Sequence, residues 1–253
     1  MPDNLDERRG YPPLNVLKGV TDDVWIVDGP LIRFGPPFMQ APFPTRMTVV
    51  RLAGGDLLIH SPTPLTPALA TQIAQMGRPR WIVGPNRLHY WWIPEWHAAF
   101  PDATVWLAPC IREQAGERID FAASTLDRDR GYPWDAEITT LRITGSYMTE
   151  VAFFHRASRT LVLTDLIENF EPHRLGLVMR WVTRLGGVQD PHGGMPRDMR
   201  ATFARHRSAL RAAIETMIAW NPERVILAHG RWYERDGAAE LRRAFRWLLD
   251  RAA

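Results

Sequence analysis

Four short apolar runs of the chain lead into side chains that can bind a metal ion. The residues that follow these runs are His60, His89, Asp165 and His229. In α/β proteins, ligands bind beyond the carboxyl ends of strands, and imidazole and carboxylate groups are common protein ligands of zinc and iron. The four strand ends therefore predict a polar cleft. Strands also commonly end in polar residues for structural reasons, so a purely structural role for each side chain stays open.

The elements that would position these residues fall into two similar halves. Each half begins with short apolar runs typical of antiparallel strands and continues with alternating helices and strands. An irregular polar segment at residues 112–133 connects the halves. This order predicts an α/β protein of the αββα sandwich type, in which two sheets face each other with helices outside. A doubly wound sheet is the alternative, because it also alternates strands and helices.

We expect one domain over residues 20–253, preceded by an extended lead-in at residues 1–19. Turn residues at 28–30 predict a break between two strands, and the proline-rich residues 35–44 predict a loop. Thr66 followed by Pro67 predicts the start of a helix.

The composition excludes several classes of protein. Hydrophobic residues make up 45% and charged residues 23% of the 253 residues, which is ordinary for a globular protein. The net charge is +3, but the arginines are scattered among acids, so we expect no nucleic-acid partner. Cys110 is the only cysteine, which excludes an intrachain disulfide and favours a cytoplasmic location. No run reaches the roughly 18 apolar residues of a membrane span, so we expect no membrane partner.

Three stretches of the sequence resemble the metallo-β-lactamase superfamily. They are Gly84-Pro85-Asn86-Arg87-Leu88-His89, residues 158–165 (which end in Thr164-Asp165) and Ala228-His229-Gly230. The chain is more closely similar to a bacterial and plant family of unknown function that is attached to this superfamily. The resemblance spans about residues 20–250 and implies the αββα fold.

The superfamily's metal motif is incomplete in this chain. That motif reads His-x-His-x-Asp-His, and the resemblance places its last histidine on His89, the later bridging aspartate on Asp165 and the final histidine on His229. The other ligand positions fall on residues that differ from the superfamily pattern, namely Gly84, Asn86, Leu88 and Ser146. The resemblance therefore implies one metal site at most, and not the two-metal site of a complete motif.

Two functions follow from this pattern, and the sequence leaves both open. In the first, the protein is a hydrolase in which His89, Asp165 and His229 hold one zinc or iron ion, with Asp165 and His229 as catalytic residues. Its substrate would be an unidentified small ester, lactone or phosphoester. In the second, the protein binds a small molecule without catalysis, keeping the fold and cleft but no metal.

Further residues are expected to line the cleft. They are His60, Asn86, Trp91, Trp92 and Glu168. Glu168 lies three residues after Asp165, which would place both on one face of a helix if that segment were helical.

Overall fold

The structure, a computed structural model, describes residues 9–34 and 41–250, with the backbone alone at residues 34 and 41. Residues 1–8 of the expected lead-in and residues 35–40 of the expected loop therefore lie outside the described part. The chain divides into two compact units, Met1–Leu126 and Asp127–Ala253. Each unit contains its own mixed β-sheet.

The sheet of the first unit follows the order of the chain. Its described strands are β1 (Leu17–Thr21), β2 (Val24–Phe34), β3 (Ala41–Arg51), β4 (Asp56–His60), β5 (Arg78–Gly84), β6 (Thr104–Leu107) and β7 (Ser124–Thr125). The pairs from β1 to β4 are antiparallel, and the pairs from β4 to β7 are parallel. The carboxyl ends of β4 and β5 therefore lie side by side.

The predicted break at residues 28–30 is wrong, because β2 runs through it. The pairing of β2 with β3 shifts register between Gly29 and Ile32, so the turn residues mark a β-bulge. Asp28 is buried there, and its carboxylate accepts hydrogen bonds from Arg46 Nε at 2.8 Å and Lys18 Nζ at 2.7 Å. This pairing allows a buried charge to remain within a continuous strand.

Two strand segments lie where the sequence predicts none. Strand β1 begins at Leu17, within the expected lead-in, and β3 begins at Ala41, within the expected loop. In both segments, pairing with β2 outweighs the weak local preference of the residues for strand.

The first unit has three described α-helices, α1 (Pro67–Met76), α2 (Ile93–Ala99) and α3 (Ile111–Ala115), and a 3₁₀ turn at Gly116–Arg118. Thr66 caps α1 as predicted, since its Oγ1 accepts a hydrogen bond from the Leu69 amide at 3.2 Å. Helices α1 and α2 both pack against β5. Both helices therefore support an interior strand of this sheet.

The sheet of the second unit has the order β11-β10-β9-β8. Its described strands are β8 (Ile138–Thr144), β9 (Thr149–His155), β10 (Thr160–Val162) and β11 (Arg224–Ile226). Strand β10 pairs antiparallel with β9 and parallel with β11. The end of β10 therefore lies beside the start of β9 and beside the end of β11.

The helices of the second unit follow β10. The described ones are α4 (Leu177–Gly186), α5 (Arg197–Thr202), α6 (Arg207–Ala219), α7 (Gly237–Ala244) and α8 (Arg246–Leu249), with 3₁₀ turns at Pro172–Arg174 and Ala204–His206. Helix α6 buries Leu210, Ile214 and Met217 in a core shared with Leu161 and Leu227. None of the helices in the described ranges has the length and apolar composition needed to cross a membrane.

Candidate metal centre

Asp165 and His229 form a buried pair at the strand ends of the second unit. The Nε2 atom of His229 lies 3.0 Å from Oδ1 of Asp165, and both side chains are less than a tenth exposed. Strands β10 and β11 are parallel and pair Val162 with Ile226. Asp165 lies three positions after Val162, and His229 lies three positions after Ile226. The strand register therefore brings the two loop positions together. Both offer ligand atoms suited to a metal ion.

Glu150 fixes the loop that carries Asp165. Its Oε1 atom accepts a hydrogen bond from the Thr164 amide at 2.8 Å, and its Oε2 atom accepts from the amides of Asp165 at 2.8 Å and Leu166 at 3.0 Å. Glu150 is the second residue of β9, which places it beside the end of β10. Burial, and next the negative charge of Asp165, raise the pKa of Glu150 to about 7, while its backbone donors oppose this shift.

Asn169 fixes the loop that carries His229. Its Nδ2 atom donates to the backbone oxygen of Arg231 at 2.9 Å, and its amide donates to the His229 oxygen at 3.3 Å. Gly230 has a φ of +88°, and a Cβ there would collide with the Asn169 backbone. The Asn169 backbone therefore requires glycine directly after His229. Neither Glu150 nor Asn169 is among the predicted site residues.

Glu168 lies near the pair, although not on a helix as expected. It is extended and forms an isolated β-bridge with Gly194. Burial is the main cause that raises the pKa of Glu168 to about 8, and the charge of His229 opposes the shift. A carboxyl group that keeps its proton near neutral pH can donate a hydrogen bond, which an ionised carboxylate cannot.

In the first unit, His60, Ser61 and His89 lie together. Parallel pairing aligns His60 with Val83, and the Ser61 amide donates to the Val83 oxygen at 2.9 Å. Ser61 Oγ lies 2.6 Å from Nδ1 of His89, and Ser61 adopts a φ of +53°, which is rare outside glycine. Burial first, and the nearby His89 second, lower the pKa of His60 to about 3, so His60 is neutral.

Three predicted cleft residues of the first unit differ in exposure. Asn86 is fully buried, and its Oδ1 atom accepts a hydrogen bond from the Leu88 amide at 2.8 Å, which shapes the turn before His89. Trp91 is 42% exposed and stacks on Tyr90, with the Arg118 guanidinium 5.1 Å from its ring centre. Trp92 is partly buried and directly precedes α2.

Gly84 and Ser146, two positions that the resemblance aligns with metal ligands, have packing or hydrogen-bond contacts instead. A Cβ on Gly84 would lie 2.7 Å from Ile111 Cδ1 and 2.9 Å from Ile93 Cδ1, so a larger side chain does not fit there without movement. In the second unit, Ser146 Oγ donates to the Thr202 oxygen at 2.8 Å. Gly84 and Ser146 therefore each take part in local packing or hydrogen bonding.

Solved structures of metallo-β-lactamases share the fold of this chain. DIM-1 metallo-β-lactamase exposed to ceftazidime matches with a TM-score of 0.62 and 14% identity, over 93% of this chain and 96% of its own. FIM-1 from Pseudomonas aeruginosa in the mono-zinc form has a TM-score of 0.61 and 11% identity, over 92% and 96%. The metal-soaked Flv1 flavodiiron core from Synechocystis sp. PCC6803 has a TM-score of 0.61 and 12% identity, over 93% of this chain and 60% of its own.

These matches define the class of protein: the chain has the metallo-β-lactamase fold, and the predicted αββα class is confirmed. The sequence model of the domain of unknown function DUF4336 matches residues 22–179. That match covers more than half of the chain, so the protein belongs to the DUF4336 family. No curated protein matches the sequence.

The structure brings some predicted site residues together within each unit. Asp165 and His229 meet in the second unit, and His60 and His89 are neighbours in the first. Glu150 and Ser61 were missed by the sequence analysis. The available signal for Glu150 was an acid at the start of the apolar run 151–154, and for Ser61 it was a polar residue directly after His60.

Proposed function

We propose that this protein is a metal-dependent hydrolase that uses one zinc or iron ion per chain, held by His89, Asp165 and His229. The observation that carries the proposal is the buried Asp165–His229 pair, which is held at equivalent ends of two parallel strands. Glu150 fixes the loop that carries Asp165, and Asn169 fixes the loop that carries His229. Such rigid support is what a metal-binding site requires of its ligands.

The donor chemistry fits one such ion. Two imidazoles and one carboxylate are a common set for zinc or ferrous iron and leave positions open for water and substrate. In the first unit, Ser61 lies against Nδ1 of His89, so we assign Nε2 of His89 as the ligand atom. A hydrogen bond on the other ring nitrogen fixes the tautomer and orientation of a ligating histidine.

A second ion is not part of the proposal. Gly84 and Leu88 offer no ligand atom, and the Asn86 side-chain oxygen is already used by the Leu88 amide. Ser146, at a further ligand position, bonds to Thr202. Two of the similar structures, FIM-1 in the mono-zinc form and the metal-soaked Flv1 core, indicate only that this fold accommodates metals.

When bound, the ion would polarise the scissile bond and lower the pKa of a water molecule. Asp165 and His229 hold their positions through their backbone clamps and orient the substrate. Glu168, which is buried beside the pair, is a further residue of the cleft in this proposal. We propose a small ester, lactone or phosphoester as substrate, with Trp91 and Trp92 as an apolar wall and His60 and Asn86 as further lining. We also propose a cytoplasmic location.

The second candidate is a binding protein without catalysis or metal. The observation that favours it is the set of structural contacts made by Gly84 and Ser146, positions where the superfamily has ligands. Positions adapted to packing are typical of a site that no longer needs its ions. The two candidates differ in metal content, which can be measured directly.

Elemental analysis after zinc or iron loading and dialysis tests the proposal. We expect about one metal per chain in the wild type, and His229→Ala should lose it because two ligands remain. His192→Ala, which removes an exposed histidine of the same unit, is the matched control and should keep the metal.

Two tightly held metals per chain would show that the ligand assignment is wrong. A metal-free protein whose melting temperature does not change on addition of zinc would favour the binding protein. Retention of the metal by His229→Ala would remove His229 from the site.

A further inference from the structure

Helix α4 exposes an apolar face to solvent. Leu177, Trp181 and Leu185 are 76%, 66% and 67% exposed, and Val178 and Val182 are also exposed. These residues follow one another at helical spacing, so they form one continuous stripe. We call these five residues the α4 face. Single exposed apolar residues are ordinary, but a stripe of five large ones indicates an interaction surface.

The burial pattern of α4 is the reverse of the usual one for a helix on a core. Its one buried residue is polar: Thr183, whose hydroxyl donates to the Met179 oxygen at 2.7 Å. In the same unit, α6 buries Leu210, Ile214 and Met217 in the normal way. The α4 face is therefore not part of the hydrophobic core of its unit. Its apolar residues are directed away from the unit that carries them.

The charges beside the α4 face are mostly positive. The helix itself contains Arg180 and Arg184 and no acidic residue. At its carboxyl end, the guanidinium groups of Arg197 and Arg200 lie close to Gly187, each 3.8 Å from a Cβ placed there. Before the helix, Glu171 is already paired with Arg174. An apolar stripe thus has a basic border.

We propose that the α4 face binds an anionic lipid surface, with the apolar residues entering the acyl boundary and the arginines contacting lipid phosphates. Apolar residues with tryptophan on one face and arginine on the flanks are the composition of helices that lie in the membrane interface. Charge complementarity selects this partner over a second copy of the chain. Two α4 faces brought together would also bring their arginine borders together, and like charges repel.

This proposal differs from the expectation of no membrane partner, which rested on the absence of a spanning segment. The described helices contain no such segment. An interfacial helix needs none, because it buries only one face and keeps its polar side in water. The proposal is independent of the metal site, which neither supports it nor depends on it.

Co-sedimentation of the full chain with vesicles tests the proposal. We expect binding to vesicles of phosphatidylcholine and phosphatidylglycerol, weakened by high salt, and little binding to pure phosphatidylcholine. Trp181→Ser should weaken binding about tenfold, because a large apolar contact is lost. Arg184→Gln should weaken it about fivefold, as expected for one basic residue at an anionic surface.

Matched variants keep the test specific. Tyr147→Ser removes an exposed aromatic residue outside α4, and Arg242→Gln removes an exposed arginine of α7. Both should bind vesicles as the wild type does, and all four variants should keep the wild-type circular dichroism spectrum. Equal binding to neutral vesicles, no binding to either, or equal losses in the controls would overturn the proposal. A dimer in light scattering that Trp181→Ser dissociates, without vesicle binding, would assign the face to a second copy.

Discussion

Glu150 is a buried acid whose partners are backbone amides and not a basic side chain. Its two oxygens accept from three consecutive amides, those of Thr164, Asp165 and Leu166. An unpaired buried amide is costly, so the carboxyl group replaces the strand partners that β10 no longer has beyond its last residue. Glu150 is therefore a positioning residue: it fixes the backbone from which the Asp165 side chain projects.

Glu150→Gln should destabilise the protein by about 2 kcal/mol at pH 5, where Glu150 is protonated: its hydroxyl oxygen can still accept from a backbone amide, whereas the NH₂ group of glutamine can only donate. Glu215→Gln is the matched control. Glu215 is exposed and pairs with Arg211, and an exposed pair of this kind contributes little to stability. Urea denaturation of the three proteins measures the difference, and equal stability of Glu150→Gln and the wild type would contradict the role of Glu150.

The difference in stability between the wild type and Glu150→Gln should depend on pH. The pKa of Glu150 is raised to about 7 in the folded state, so the fold binds its proton more tightly than the unfolded chain does. Stability from this group is fully present below its unfolded pKa and is lost as the pH rises through about 7. The deficit of Glu150→Gln should therefore narrow as the pH rises from 5 towards 7, by about 1.4 kcal/mol per unit at most, and the two proteins should be about equally stable at pH 8. A stability deficit that widens over this pH range would contradict the raised pKa of Glu150.

At the scale of elements, the parallel pair β10 and β11 determines the geometry of the candidate centre. Equal numbers of residues separate Asp165 and His229 from their paired strand positions, so the register alone brings the two loops side by side. The loop after β11 must then pass close to Asn169, which it does at Gly230. The backbone at Gly230, directly after His229, is thus constrained by its contact with Asn169.

Gly230→Ala should destabilise the protein by about 3 kcal/mol, since an added methyl group meets both an unfavourable φ and the Asn169 backbone. Gly55→Ala is the matched control. Gly55 also has a positive φ, +79°, but nothing lies within 4 Å of its Cβ position, so it reports the backbone penalty alone, about 1 kcal/mol. Thermal unfolding measures both, and equal losses would show that the close approach at Gly230 is relieved at no cost.

At the scale of the whole molecule, the number of domains remains a prediction. The chain divides into two compact units at residues 126 and 127, whereas the DUF4336 match runs from residue 22 to residue 179. The match therefore includes residues on both sides of the division, although it covers less than half of the second unit. The single domain over residues 20–253 is the hypothesis to be tested.

A single domain should unfold in one calorimetric transition, with a ratio of calorimetric to van't Hoff enthalpy of about one. Gly230→Ala should then shift the whole transition, although the substitution lies in the second unit. Two resolved transitions in the wild type, with only one of them shifted by Gly230→Ala, would instead show two domains that unfold independently.

The sequence by itself identified the strand ends with His60, His89, Asp165 and His229, because apolar runs and the polar residues after them are local patterns. Together with the family resemblance, it also predicted the fold that the structural matches confirm. The capping residue Thr66 was equally visible, since a cap depends on residues a few positions apart.

Only the tertiary structure decided which residues support those strand ends. Glu150 and Ser61 act on residues 14 and 28 positions away, and strand pairing brings each one to its partner. Pairing with β3 also converted the turn expected at residues 28–30 into a bulge. Likewise, the helical spacing of α4 defines an apolar face, but only packing determines whether that face is buried or exposed. These features depend on contacts between distant segments, which local sequence patterns do not encode.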